Sequence, residues 1–123
     1  MVPNDVLVRM MASGVESIMY RQSLSPTGGI VESDPRVDRG NYLYADRCWL
    51  RNYHVEPLLA LGHTDLVLRN LRYWRLVWER GGERRFRHNY HYRTCERLSD
   101  HYQADNNAHL ILQIGRASCR ERV

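Results

Sequence analysis

Residues 41–62 constrain the fold most. They read Asn-Tyr-Leu-Tyr-Ala-Asp-Arg-Cys-Trp-Leu-Arg-Asn-Tyr-His-Val-Glu-Pro-Leu-Leu-Ala-Leu-Gly. Aromatic, polar and cationic side chains crowd the first half. The second half, from about Leu50 to Leu61, is an apolar run at helical spacing, closed by Gly62 at the position where helices favour glycine. So short and apolar a helix needs neighbours to bury it.

The rest of the chain supplies them. Asn4 or Asp5 can cap a helix running to about Gln22, with Val6, Leu7, Met10, Met11, Val15, Ile18 and Met19 on a broad apolar face. Thr64 or Asp65 can cap another, to about Arg80, whose buried face is expected to hold Leu66, Val67, Leu71, Trp74, Val77 and Trp78. Gly81-Gly82 ends it, and a fourth helix begins near Asp105 or Asn106 and carries Leu110, Ile111 and Leu112. Two residues work against this pattern. Gly14 weakens the first helix by roughly 1 kcal/mol relative to alanine, a cost usually tied to the close approach of a neighbour. Pro57 removes a hydrogen bond from the second.

Between the helices, Pro26-Thr27-Gly28-Gly29 is a turn and Ile30-Val31 the one short strand expected in the first third. Ser33 to Asn41 reads as polar loop, and Glu83 to Ser99 as a long loop rich in Arg, His and Tyr, with room for a short hairpin. The class is all-α, an array of helical hairpins.

No apolar run approaches the ~20 residues of a membrane span, so no membrane partner is expected. No signal-peptide pattern is visible at the start, which favours the cytoplasm for the chain as given. Lysine is absent: all 18 basic residues are arginine, which excludes lysine-based covalent catalysis here. The net charge of +4 is small and dispersed, a poor footprint for nucleic acid.

Ile114 to Val123 reads Ile-Gly-Arg-Ala-Ser-Cys-Arg-Glu-Arg-Val. It resembles, codon for codon, the translation of a common short-read sequencing adapter. The expected organisation is therefore a partial domain over 1–113 and a non-biological tail over 114–123. Without the tail, the net charge halves and the cysteines reduce to Cys48 and Cys95, which have no CxxC spacing.

Trp49-Leu50-Arg51-Asn52 is the sharpest chemical group. Arg51 offers a planar fork of donors that stays charged, suited to neighbouring hydroxyls. Asn52 both donates and accepts, as a sugar hydroxyl does, and Trp49 provides an apolar wall with one N–H. The same residues also suit a core tryptophan beside a surface ion pair. The runs Arg84-Arg85-Phe86-Arg87-His88 and Tyr90-His91-Tyr92-Arg93 interleave cations with aromatics, as single-strand nucleic-acid grooves do. Glu83, Glu96 and Asp100 dilute that field, and a solvated loop is the preferred reading. His88 and His91 lack a third ligand for a metal, and Cys48 lacks a visible base to activate it. Glu56 reads as a glutamate satisfied by a partner or interface rather than a buried functional carboxylate.

Three blocks together resemble glycoside hydrolase family 15, the glucoamylase-like enzymes. The first is Tyr20-Arg21-Gln22-Ser23-Leu24 followed by Pro26-Thr27-Gly28-Gly29-Ile30-Val31. The second runs from Tyr44 to Gly62, with Cys-Trp-Leu-Arg-Asn at its centre and Leu-Leu-Ala-Leu-Gly at its end. The third is Gln103-Ala104-Asp105-Asn106-Asn107-Ala108-His109-Leu110-Ile111-Leu112. They occur in the family's order and at compatible spacing.

The resemblance implies an (α/α)₆ barrel, of which this chain holds the first three helices and the start of a fourth. It implies inverting hydrolysis of α-glucosidic bonds in a glucan, oligosaccharide or trehalose, without metal or cofactor. It makes Trp49, Arg51 and Asn52 the sugar-binding residues, with Tyr44 and Asp105 in a second tier. The two catalytic glutamates belong to later segments, so no catalytic residue is assigned. Oligomeric state is left open. Asn52 stands where the family has aspartate, and Arg47 where it has tyrosine. An amide binds hydroxyls and the neighbouring arginine more weakly than a carboxylate. A non-catalytic, carbohydrate-binding or regulatory relative of the same fold is therefore the alternative.

Overall fold

The computed structural model describes residues 3–33, 36, 44–46, 52–81, 86–87, 89–100 and 106–121. Helix dominates. In chain order the elements are α1 (Asn4–Ser23), β1 (Tyr44–Asp46), α2 (Asn52–Ala60), α3 (Thr64–Gly81), β2 (Asn89–His91) and α4 (Asn106–Glu121). The two strands form one small antiparallel sheet.

The first helix begins where expected, but neither Asn4 nor Asp5 caps it. Pro3 holds that place, its carbonyl accepting the N–H groups of Val6 and Leu7 at 3.1 Å, without a side-chain cap. Asp5 instead pairs with Arg9 one turn on, with both side chains largely exposed. Only part of the expected apolar face is covered. Val15 and Ile18 pack on the core, whereas Leu7, Met10, Met11 and Met19 stand in solvent. Gly14 has open space around it, so no close neighbour explains the glycine.

α2 ends as its sequence requires. Gly62 takes φ +86°, its N–H donates to the Leu59 carbonyl at 3.1 Å, and the N–H of His63 reaches the Leu58 carbonyl at 2.8 Å. This pair of bonds satisfies carbonyls that a helix end otherwise leaves orphaned. Pro57 lies inside the helix, described over Asn52–Ala60; Leu50, where the sequence places its start, lies outside the described residues. Val55, Leu58 and Leu59 then meet Leu66 and Val67 of α3 in one buried cluster.

α3 is the beam of the molecule. Its buried face is Leu66, Val67, Asn70, Tyr73, Trp74 and Val77. Leu71 is only partly buried and Trp78 is exposed, contrary to expectation. The stripe rotates because Tyr73 and Asn70 find partners inside, while Trp78 lies at its edge. A second cluster joins Tyr73, Trp74 and Val77 to Phe86, Tyr90 and Cys95, with Leu110 of α4 packed against it. Its rings meet edge to face: Trp74 lies 5.4 Å from Phe86 and 5.8 Å from Tyr90 between centroids. That geometry suits aromatic quadrupoles.

The segment after α1 is tied to α3 by polar hooks. Gln22, fully buried, donates to the Leu66 carbonyl at 2.7 Å. Ile30 and Val31 are buried but form no strand; the N–H of Ile30 donates to Asn70 Oδ1 at 3.4 Å instead of to a sheet partner. Gly29 lies flat on the Tyr73 ring. α4 begins at Asn106 and passes through the 113/114 boundary unbroken, its Arg116 paired with Glu56 of α2. Helical continuity carries no information about where the tail comes from.

A Cβ added at Gly29 would stand 2.5 Å from the Tyr73 ring, whereas one at Gly14 meets nothing. Gly29→Ala should therefore lower stability by about 1–3 kcal/mol through overpacking. Gly14→Ala should raise it by roughly 0.5–1 kcal/mol. Urea unfolding midpoints of the two variants test the contrast.

Candidate functional site

Two described elements flank the stretch expected to touch sugar. β1 pairs antiparallel with β2 in the register Tyr44↔His91, Ala45↔Tyr90 and Asp46↔Asn89. α2 spans Asn52–Ala60, and residues 47–51 between the two elements lie outside the described residues. Tyr44 thus belongs to β1 and Asn52 to α2. Trp49, Arg51 and Asp105 lie outside the described residues, as do Arg47, Cys48 and His88.

The anchor on the strand side is well built. β2 continues into a tight turn: the N–H of His91 donates to the Glu96 carbonyl at 2.8 Å, that of Cys95 to the His91 carbonyl at 3.0 Å, and that of Leu98 to the Asn89 carbonyl at 2.9 Å. Tyr90 and Arg97 form a further bridge, so the long loop does contain a hairpin. Cys95 holds φ +61° at its corner. Inside the turn, His91 Nδ1 accepts the N–H groups of Arg93 and Thr94 at 3.1 and 3.3 Å.

Three side chains fasten this hairpin to the body. The Tyr73 hydroxyl donates to the His91 carbonyl at 3.0 Å. The Ser25 hydroxyl donates to the Tyr92 carbonyl at 2.8 Å while accepting the N–H of Gly29 at 3.2 Å. Arg80 reaches the Thr94 carbonyl at 3.4 Å. Sequence reading missed the roles of Ser25 and Tyr73. Tyr73 was legible in principle, since Leu66, Asn70, Tyr73 and Val77 share one helical face; the polar Asn70 interrupts the apolar signal.

Of the described residues in the cation–aromatic runs, Phe86, Arg87 and Tyr90 turn inward, whereas Arg93 is exposed. Phe86 and Tyr90 are buried in the aromatic cluster, and Arg87 is nearly buried, its guanidinium on the Asp100 carbonyl at 2.5 Å. The backbone N–H of Arg87 donates to the Tyr90 hydroxyl at 2.6 Å. Those rings hold the fold together and present no face to a base. His91 and Tyr92 stack on each other at 4.9 Å. Among the described residues no three His, Cys, Asp or Glu side chains gather as a metal site. No helix among them is long and apolar enough to cross a membrane. Glu56 is exposed and engaged by Arg116.

Two acids under the hairpin are held neutral. Burial pushes the Tyr73 phenol far above its ordinary range, with smaller contributions from Cys95 and Tyr90. Burial also raises the Cys95 thiol, partly offset by the Arg80 guanidinium beside it. Comparisons with protein-family models, with curated proteins and with solved structures find no match for this chain.

The linkage has a definite sign. The folded chain keeps both acids protonated where the unfolded chain releases them, so unfolding above their unfolded-state pKa values releases protons. Stability should be intact at neutral pH and should fall as pH rises through about 8.5 and then about 10, the free thiol and phenol values. Tyr73→Phe should cost about 1 kcal/mol at pH 7 through loss of the bond to His91. It should also flatten the alkaline decline above about pH 10. Denaturant titrations across pH 7–11 would show both.

Proposed function

We propose that this chain is the N-terminal part of a glucoamylase-like glycosidase and supplies one wall of its sugar site. The ordered set of motif blocks carries the reading. The helical architecture is compatible with the opening hairpins of an (α/α)₆ barrel. The described backbone is in keeping with it: Asn52 belongs to α2, and β1 ahead of it is pinned through β2 to α3.

In that role Arg51 donates to adjacent hydroxyls of a terminal glucose. Asn52 accepts from one hydroxyl and donates to another, and Trp49 packs on the C–H face of the ring. Tyr44 and Asp105 border the site. Bond breaking is assigned to two glutamates outside this chain. An inverting mechanism needs a protonated carboxyl at the leaving oxygen and a carboxylate across the ring, roughly 6.5–9.5 Å apart to admit the water.

Asn52 favours one variation on this reading, a relative that binds carbohydrate without turning it over. The two glutamates of the later segments separate the two readings; substitution at 52 tests the sugar contact that both require. Asn52→Asp restores a charge-assisted acceptor beside Arg51 and should tighten maltose binding roughly 5- to 20-fold, as charge assistance about doubles the strength of a hydrogen bond. Arg51→Ala should abolish it. Isothermal titration or ligand-observed NMR with maltose and trehalose provides the test. Absence of saturable binding, or binding indifferent to Arg51, would refute the sugar wall.

A further inference from the structure

The outer face of α3 carries a second feature, which shares no residue with the 44–52 stretch. Leu68, Leu71, Arg72, Arg75, Trp78 and Glu79 form one stripe of that helix, spaced at i, i+3, i+4, i+7, i+10 and i+11. Leu110, Ile111 and Ile114 of α4 face it, with Phe86 at the floor, and the space between measures about 570 Å³. That volume lies within the ~300–1,000 Å³ of small-molecule sites. Only Ile114 among the lining residues belongs to the 114–123 tail.

The floor and walls are apolar. Among the described lining residues all charge sits on α3, and it is unequal. Arg75 Nε donates to Glu79 Oε1 at 2.8 Å, so these two neutralise each other. Arg72, exposed at the same rim, has no hydrogen-bond or ionic partner among the described residues. The lining therefore sums to one positive charge above an apolar trough. Glu79 disfavours a doubly charged head, and the trough offers nothing to a polar body.

We infer that this hollow binds a single-chain amphiphile with one negative charge, an alkyl carboxylate of about ten carbons, its chain along Leu71, Trp78 and Ile111 and its carboxylate on Arg72. A planar guanidinium takes a carboxylate bidentately, and the aliphatic stem of Arg72 extends the apolar wall. The inference is independent of the sugar-wall reading.

Isothermal titration with decanoate, decanol and decylamine tests it on the 123-residue chain. Decanoate should bind saturably at micromolar concentration, about tenfold tighter than decanol, and decylamine should not bind. Affinity should rise roughly three- to fourfold per methylene from octanoate to decanoate. Arg72→Met keeps the stem and removes the charge, so it should bring decanoate down to the level of decanol. Ile111→Glu, at an exposed position that does not hold the fold, should abolish binding of both with helicity unchanged by circular dichroism. No saturable decanoate binding, equal affinity for decanoate and decylamine, or indifference to Arg72→Met would each overturn the proposal.

Discussion

Tyr73 is the joint on which the rest of the structure depends. Its ring lies against the backbone of Gly29, its edge meets Trp74 at 5.2 Å between centroids, and its hydroxyl holds the His91 carbonyl. One side chain thereby couples the segment after α1, the central helix and the hairpin that carries β2. The contact works only because Gly29 has no side chain. It also explains the inward turn of the loop aromatics. Once Tyr73 and Trp74 are buried side by side, Phe86 and Tyr90 can complete an edge-to-face cluster, and that burial outweighs exposure to solvent or to a ligand.

Polar groups complete the joint because buried hydrogen-bonding groups are costly unless matched. Gln22 matches the Leu66 carbonyl, Asn70 the N–H of Ile30, and Ser25 the Tyr92 carbonyl. These bonds replace the strand that Ile30-Val31 would otherwise form. β-branched residues in an apolar pair suit any buried extended segment, and nothing local says whether a sheet edge or an asparagine side chain will meet the backbone. The hydrogen-bonding partner of Ile30 lies in α3, far along the chain, which is why local sequence could not reveal it.

The helices themselves were legible, because period and punctuation agree. Gly62 ends α2 in the left-handed turn its position demands, and α3 begins at Thr64 and ends at Gly81. Burial was less legible. A Leu or Met at helical spacing shows which face is apolar, not whether anything covers it, and half of the α1 face is bare. Helical spacing places Trp78 inward, yet it is exposed, because the buried stripe turns toward Tyr73 and Asn70. For the candidate site, sequence named Tyr44, Trp49, Arg51, Asn52 and Asp105. Structure contributes the backbone frame at Tyr44 and Asn52; the other three lie outside the described residues.

The two faces of α3 divide the molecule's chemistry. Its inner face, through Tyr73 and the hairpin, fixes β2, hence β1, hence the point from which the 47–51 segment departs. Its outer face carries Arg72 and the apolar hollow under α4. The two faces are not isolated from each other, because Phe86 and Leu110 belong both to the aromatic cluster around Tyr73 and to the lining of the hollow. A change at Arg72, an exposed residue outside both buried clusters, acts first on the rim of the hollow. A change at Tyr73 loosens the hairpin, and with it the strand from which the candidate sugar wall is hung. If 47–52 form the proposed sugar wall, its strand-side anchor rests on a residue that need never touch a ligand.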